Sequence, residues 1–189
     1  MNDLIFYPPA VSKQNQYYRF ITCGFIHADT AHLIFNMLSL YLFGEFVEQK
    51  FIQIFENWGK FLYVAMYLLA LAVCLLPTYY RNRDNYYYRS LGASGAVSAV
   101  VFAGLLVAPY VEVGLIIIPF LKIPGFVFGP LYLIISFYLD RKGGSNINHS
   151  AHIWGALFGV AFIIIVGKLL GNYDAISEFI RGIDYYFNS

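Results

Sequence analysis

Residues 91–111 read LGASGAVSAVVFAGLLVAPYV and contain no charged side chain. A helix that crosses the apolar core of a bilayer needs about 20 predominantly apolar residues, so this stretch alone indicates a membrane span. Four more stretches meet or approach the same criterion, at residues 31–46, 61–80, 123–139 and 150–167. Because helices satisfy their own backbone groups in lipid, we predict an all-α membrane bundle with five spans, forming one domain over residues 1–189.

The composition of the chain supports a membrane protein. Of the 189 residues, 59% are hydrophobic and only 12% are charged, which is far more apolar than an ordinary soluble domain. The formal net charge of +1 gives no basic surplus for binding phosphates, which argues against nucleic acid as a partner. We expect Cys23 and Cys74 to be small packing residues at different membrane depths rather than a disulfide. The partner that this composition requires is the lipid bilayer.

Counting the crossings places three polar residues near one membrane face. The piece 114–121 is too short to span and contains Pro119, so we expect a re-entrant or interfacial link there. The amino-terminal segment and the loops before the third and fifth spans are then two crossings apart and share one side. Asn36, Ser94 and His152 lie near that side. They are predicted to converge on one cavity open to its water.

Ser94 is the candidate nucleophile. It stands at the start of the third span in Gly92-Ala93-Ser94-Gly95. The two glycines would let a substrate backbone approach the hydroxyl, and the N–H groups at the start of the helix could face a developing oxyanion. The alternative is that glycine and serine serve only close helix packing, for which they are common in membranes.

His152 is the candidate general base. An ionisable side chain within an apolar span is costly and points to a function, and an imidazole is the usual base for a serine. Gly155 and Gly159 lie on the same stripe of the helix and would let another helix bring Ser94 close. All eleven carboxylates lie in loops or at span ends, so we predict a Ser–His dyad without an acid. A structural, hydrogen-bonded histidine is the alternative.

His32 and Asn36 stand four residues apart on one face of the first span. Both side chains are polar in apolar surroundings, and donors of this kind suit an oxyanion hole. Hydrogen bonding between helices is the alternative interpretation. Asp29, just before this helix, is expected to be its amino-terminal cap.

A metal site is the remaining chemical possibility for the histidines. Imidazole is a good zinc ligand, and the four histidines all fall on the shared side. The chain has no H-E-x-x-H motif, and no histidine pair combines the four-residue spacing with an adjacent glutamate. We therefore predict no metal and no cofactor at His27, His32, His149 and His152.

Taken together, these motifs resemble the rhomboid intramembrane serine proteases. The resemblance runs from about Tyr18 to Gly167, which is most of the chain. The segments that carry it are Phe25-Ile26-His27, His32-Leu33-Ile34-Phe35-Asn36-Met37, Gly92-Ala93-Ser94-Gly95 and Ala151-His152-Ile153-Trp154-Gly155-Ala156-Leu157-Phe158-Gly159.

The resemblance implies a helical bundle around a water-filled cavity. It implies Ser94 as nucleophile, His152 as general base, and His32, Asn36 and the Ser94 backbone N–H as the oxyanion hole, with Gly92 and Gly95 beside the substrate. Peptide bonds in or near the transmembrane segments of membrane-protein substrates would be cut without a cofactor. The expected location is a bacterial inner membrane, crossed several times by the chain.

Three features depart from the family pattern. The family's Trp-Arg pair in the first loop is Tyr18-Arg19 here, and Ser98 stands four residues after the serine, where an aromatic side chain often packs on the histidine. The family core has six spans, and residues 1–17 contain two prolines and polar residues, so we expect no span before Arg19 in this sequence. We expect either a truncated form or misassigned start site, or a five-helix variant. The alternative function is therefore a catalytically impaired rhomboid-like protein that binds transmembrane clients.

Overall fold

The computed structural model describes residues 3–115, 118–144 and 146–188 as a bundle of helices with one small hairpin. The all-α prediction is confirmed. In chain order the elements are α1 (Pro8–Gln14), α2 (Arg19–Thr22), α3 (Thr30–Phe55), α4 (Gly59–Val73), α5 (Leu76–Asn82), α6 (Ser94–Val107), β1 (Glu112–Leu115), β2 (Ile118–Pro124), α7 (Gly125–Lys142), α8 (His149–Leu170) and α9 (Ala175–Asn188).

Two stretches of the described chain are long and apolar enough to cross a membrane. One is the nearly continuous helical stretch from Thr30 to Asn82, which comprises α3, α4 and α5, and the other is α8. The helix α6 is equally apolar but shorter. The helix α3 continues beyond the predicted span 31–46, because Val47, Phe51 and Phe55 keep one face buried in the core.

The predicted span 61–80 divides into two helices, α4 and α5. The break falls at Cys74 and Leu75, and Pro77 stands in the first turn of α5. Proline has no N–H to donate and is tolerated best in the first turn of a helix. The proline therefore begins a new helix instead of continuing the old one.

The link between α6 and α7 is an antiparallel hairpin. Glu112 of β1 pairs with Pro124 of β2, and Val113 pairs with Ile123. The side chains of Glu112 and Lys122 form an ion pair at 3.6 Å. The sequence predicted a link here without a strand, so the pairing of the two strands is new information.

The helix α6 forms the centre of the bundle. It packs most extensively against α8, and also against α3 and α4. Its residues are small or apolar, and nearly all of them from Gly95 to Leu105 are buried. The placement of Ser94 is therefore fixed by a helix that is enclosed by its neighbours.

The amino-terminal segment holds the loop that leads to Ser94. Phe6 is fully buried and exchanges two backbone hydrogen bonds with Ser90, at 2.9 and 3.1 Å. The guanidinium of Arg19 is buried and donates to the carbonyl of Ile5 at 2.8 Å. These bonds tie the first turns of the chain to the stretch that precedes α6.

The two cysteines lie in one cluster of buried residues, together with Phe6 and Ala151. The expectation that Cys23 and Cys74 lie at different depths is therefore wrong. Both thiols are free. The reason is the break between α4 and α5, which leaves Cys74 beside the short helical turn that carries Cys23.

Candidate active site

Ser94 and His152 lie within hydrogen-bond distance of each other. The Oγ atom of the serine is 2.7 Å from Nε2 of the histidine, a normal length for a bond from a hydroxyl to an imidazole. Ser94 is the first residue of α6, and His152 ends the first turn of α8. Both side chains are only partly buried. The structure thus brings the predicted nucleophile and base together at the start of two packed helices.

The glycines of α8 explain why the two helices approach so closely. A Cβ atom on Gly155 would collide with the carbonyl oxygen of Gly95, and one on Gly159 would collide with the carbonyl oxygen of Ala99. The backbones of α6 and α8 are therefore in direct contact along this stripe. The prediction that these glycines permit a close helix approach is confirmed.

Gly95 belongs to this packing. A Cβ atom there would lie 3.1 Å from the carbonyl oxygen of Ala151 in α8 and would press on the sulfur of Cys74. Gly95 is buried between α8 and the end of α4. Its surroundings favour the packing interpretation for this glycine.

His32 lies against Gly92. A Cβ atom on Gly92 would stand 2.6 Å from Cε1 and 2.7 Å from Nε2 of the imidazole, and the glycine has a φ of +107°. Only glycine adopts that backbone conformation without strain. The conformation and the space both require glycine two residues before the nucleophile.

Asn36 is buried one turn after His32 on α3. Its Nδ2 donates to the backbone carbonyl of His32 at 3.0 Å, which holds the amide along the helix. The side chain of Asp29 accepts from the backbone N–H of His32 at 2.7 Å. The predicted helix cap is confirmed, and it fixes the start of the helix that carries both candidate oxyanion donors.

Asn148 joins three segments around the site and was not singled out from the sequence. Its Oδ1 accepts from the backbone N–H of Ala151 at 3.1 Å and from the hydroxyl of Thr78 at 3.2 Å. Its Nδ2 donates to the hydroxyl of Ser90 at 3.3 Å. An asparagine directly before an apolar helix is a normal cap, so the first of these bonds could have been predicted.

A cavity of about 340 Å³ reaches His152 from the side of α7. Of the six predicted site residues, all within the described chain, only His152 lines it. The prediction was a cavity shared by the helices that carry Asn36, Ser94 and His152. The apolar cavity at His152 lies between α7 and α8. Its lining is mostly apolar: Ile123, Phe128, Leu131, Tyr132, Ile135, Ser136, Leu139, Ile147, His149 and His152.

Tyr132 is another residue that the sequence did not indicate. Its hydroxyl lies 3.4 Å from Oγ of Ser98, at the position where the family pattern often has an aromatic residue on the helix of the serine. The aromatic side chain here comes from α7. No local pattern reveals such a contact, because the two residues belong to separate helices.

The histidines stand in two pairs and not in a metal cluster. The rings of His27 and His32 are 5.0 Å apart, and those of His149 and His152 are 6.0 Å apart. Burial, together with the neighbouring His32, lowers the pKa of His27 in the loop before α3. Within residues 3–115, 118–144 and 146–188, no three His, Cys, Asp or Glu side chains are placed to hold a metal ion.

Cys23, in the helical turn before α3, is also an unreactive thiol. Burial raises the pKa of the Cys23 thiol to about 12. The thiolate, which is the reactive form of cysteine, is therefore absent at neutral pH. This leaves the hydroxyl of Ser94 as the side-chain nucleophile that is paired with a base.

Comparison with known families gives a match over most of the chain. Residues 14–169, which include both Ser94 and His152, match the family model described as the rhomboid domain. The chain belongs to the rhomboid family. Rhomboid proteins are integral membrane proteins, and the family includes intramembrane serine proteases. The segment before residue 14 and the helix α9 of this rhomboid protein lie outside the match.

The rhomboid relatives are distant in sequence. The chain is 28% identical over 152 residues to RHOMBOID-like protein 12, mitochondrial, of Arabidopsis thaliana, covering 76% of this chain and 45% of that protein. It is 29% identical over 170 residues to Rhomboid-like protein 11, chloroplastic, of the same plant, with coverages of 80% and 53%. The chain thus spans about half the length of these two. Rhomboid protease GlpG of Haemophilus influenzae is 24% identical over 169 residues, covering 89% of this chain and 80% of that protein.

Proposed function

We propose that this rhomboid protein is an intramembrane serine endopeptidase. It hydrolyses peptide bonds in or near the transmembrane segments of membrane-protein substrates through a dyad of Ser94 and His152. The observation that carries the proposal is the 2.7 Å separation of Oγ and Nε2 across two helices. Membership of a family that contains proteases supports it.

The dyad supplies both proton transfers of the reaction. The hydroxyl of Ser94 donates to Nε2 of a neutral imidazole, so attack of Oγ on the scissile carbonyl carbon passes the proton to His152. The imidazolium returns this proton to the amine nitrogen as the peptide bond breaks. Water then attacks the acyl-serine with the same histidine as base and releases Ser94. These steps use no metal and no cofactor.

Charge that develops on the carbonyl oxygen needs donors close by. The backbone N–H of Ser94 lies at the start of α6, where N–H groups have no partner within the helix and carry partial positive charge. We assign the same role to the side chains of His32 and Asn36. The contact of His32 with Gly92 supports this assignment, since it brings the imidazole within two residues of the nucleophile.

The proposed substrates are transmembrane proteins, and the proposed location is a bacterial inner membrane. Ser94 is only partly buried, so an extended substrate backbone can approach its hydroxyl. The half-buried dyad also stays within reach of the water that the second step consumes. For the location, support comes from the Haemophilus influenzae relative, whose length the chain largely covers.

A fluorophosphonate probe tests the nucleophile directly. Ser98 lies one turn after Ser94 on the same helix, so S98A is a matched control for S94A. We expect covalent labelling of the wild type and S98A, loss of labelling in S94A, and a fall of roughly 10⁴-fold in labelling rate for H152A. Equal labelling of the wild type and S94A would contradict the proposal.

Cleavage of a model transmembrane substrate, in detergent and in vesicles, tests the reaction itself. We expect the wild type to cut it and S94A to bind it without cutting. In the contrary outcome, the wild type binds the substrate without cutting it and also fails to react with the probe. That result would make the chain an impaired rhomboid-like binder of transmembrane clients instead.

A further inference from the structure

The carboxy-terminal helix α9 lies beyond the part of the chain that matches the family. It has 14 residues, Ala175–Asn188. At 1.5 Å per residue it is about 21 Å long, whereas the apolar core of a bilayer is about 30 Å thick. The helix is therefore too short to cross the membrane, and its place in the molecule has to be found from its contacts.

The last turns of α9 pack on the end of the bundle opposite the dyad. Gly182 lies against the ring of Pro109, whose Cγ would stand 2.6 Å from an added Cβ atom. The ring of Tyr185 packs on Tyr110 at 5.6 Å, and that of Tyr186 packs on Phe126 at 5.3 Å. These partners follow the end of α6 and begin α7. Because α6 starts at Ser94, its end marks the opposite face.

The first turn of α9 lies at the same level. Ala175 is buried in the core cluster that also contains Phe55, the last residue of α3. The link before α9 is equally close to this region, since a Cβ atom on Gly171 would lie 3.0 Å from the carbonyl oxygen of Ile54. Both ends of α9 therefore contact the same end of the bundle. The helix runs along that face instead of leaving it.

Three stripes with the same helical spacing divide the surface of α9. One stripe faces the bundle and comprises Ala175, Phe179, Gly182 and Tyr186. A second is polar and comprises Ser177, Arg181, Asp184 and Asn188. The third is apolar and outward: Ile176, Ile180, Ile183 and Phe187, of which the first two are 54% exposed and the last is 71% exposed.

We propose that α9 lies in the membrane interface, with this apolar stripe among the lipid acyl chains and the polar stripe in water. The separation of the two stripes is the pattern of a helix that lies on a bilayer. At this end of the bundle Leu169 and Leu170 close α8 with side chains 74% and 67% exposed, an apolar surface that lipid would cover. The apolar stripe extends that lipid-facing surface.

The charges of α9 indicate which part of the lipid it binds. Arg181 is paired with Glu178, and Asp184 adds a further negative charge. A helix without a basic surplus has no electrostatic attraction to anionic headgroups. The binding energy must then come from the apolar stripe, so α9 needs no anionic lipid.

Site-specific fluorescence in vesicles tests this placement. Single cysteines are introduced as I180C on the apolar stripe and S177C on the polar stripe, labelled with an environment-sensitive fluorophore, and reconstituted in phosphatidylcholine. A second pair, F187C and N188C, repeats the contrast if one variant fails to fold. Cys23 and Cys74 are buried, so the parent chain gives the background labelling.

We expect blue-shifted emission and strong quenching by acyl-chain spin labels at 180 and 187, and water-like emission with little quenching at 177 and 188. Added phosphatidylglycerol should leave this contrast unchanged. Equal water exposure at 180 and 177 would overturn the proposal. A second result would also overturn it: blue-shifted emission at 180 that acyl-chain spin labels do not quench and that is lost when the protein is diluted in lipid. A second copy of the chain would then cover the stripe.

Discussion

The two sides of α8 differ in kind. Toward α6 the helix makes a glycine contact, in which Gly155 and Gly159 lie directly on the backbone at Gly95 and Ala99. Toward α7 it borders an apolar cleft, the cavity of about 340 Å³ that reaches His152. The first side holds the base in position relative to Ser94, and the second leaves space around it. Rigidity and space thus meet at His152, which shares its stripe of the helix with the two glycines and also lines the cleft.

Of the two sides of α8, the glycine contact should be the more sensitive to substitution. In G155A the new methyl group meets the carbonyl oxygen of Gly95, so α6 and α8 must separate. Overpacking of this kind costs about 1–3 kcal/mol, and a shift of about 1 Å between reacting groups can cost about 100-fold in rate. We expect G155A to lose at least about 100-fold in substrate cleavage and to unfold at a lower temperature.

The matched control for this prediction is G114A, because nothing lies within 4 Å of a Cβ atom at Gly114. It should cleave substrate like the wild type. A fully active and stable G155A would show that direct backbone contact is not what positions His152.

Asn36 lies on α3 and belongs to neither side of α8. Its substitution therefore tests the stabilisation of the oxyanion separately from the packing of α8. Loss of one oxyanion donor costs on the order of 100-fold in kcat, and loss of its hydrogen bond about 1 kcal/mol in stability. We expect N36A to lose kcat with little change in KM and with less destabilisation than G155A. Steady-state cleavage and thermal unfolding measure the two effects, with N85A in an exposed loop as control. Full activity in N36A would remove it from the site.

The pH dependence of substrate cleavage should distinguish the roles of His149 and His152, the two histidines of α8. His152 must be neutral to accept the proton of Ser94, and protonation blocks this step. We expect the cleavage rate to fall as the pH is lowered from about 8 to about 4, a range that includes the ordinary titration of histidine. The variant H149Q, altered on the cleft side, should keep an acid limb, because His152 is still present. If H149Q abolishes the acid limb, the titrating base is not His152.

The smallest effect is expected in the apolar cleft. Y132F removes the hydroxyl that lies 3.4 Å from Oγ of Ser98, which is a long hydrogen bond. We expect a change of about 1 kcal/mol or less in stability and nearly unchanged cleavage. A loss of cleavage activity as large as that expected for G155A would show that the cleft side of α8 is as sensitive to substitution as the glycine contact.

The helices could be predicted because their patterns are local, whereas the pairing of Ser94 with His152 rests on the count of membrane crossings and on the resemblance to a family. Long apolar runs indicate spans, and the spacing of Gly155 and Gly159 indicates a face for close packing. The cap at Asp29 follows from its position just before a helix. Each of these conclusions needs only a few neighbouring residues.

The remaining features depend on residues that are far apart in the chain. The hairpin between α6 and α7 requires two strands to find a register, and the cluster of Cys23 with Cys74 depends on how α5 departs from α4. Tyr132 reaches the site from another helix, so no local pattern marks it. The cavity between α7 and α8 is bordered by residues from separate helices, so it could not be predicted from a local pattern either.

The side chain of Asn148 gives the nucleophile and the base a common mechanical support. It holds the first turn of α8, the middle of α5 and Ser90, which stands four residues before Ser94. A displacement of one of these segments is transmitted to the others through a single planar amide. We therefore expect Ser94 and His152 to move together, so that their separation fluctuates less than either position does.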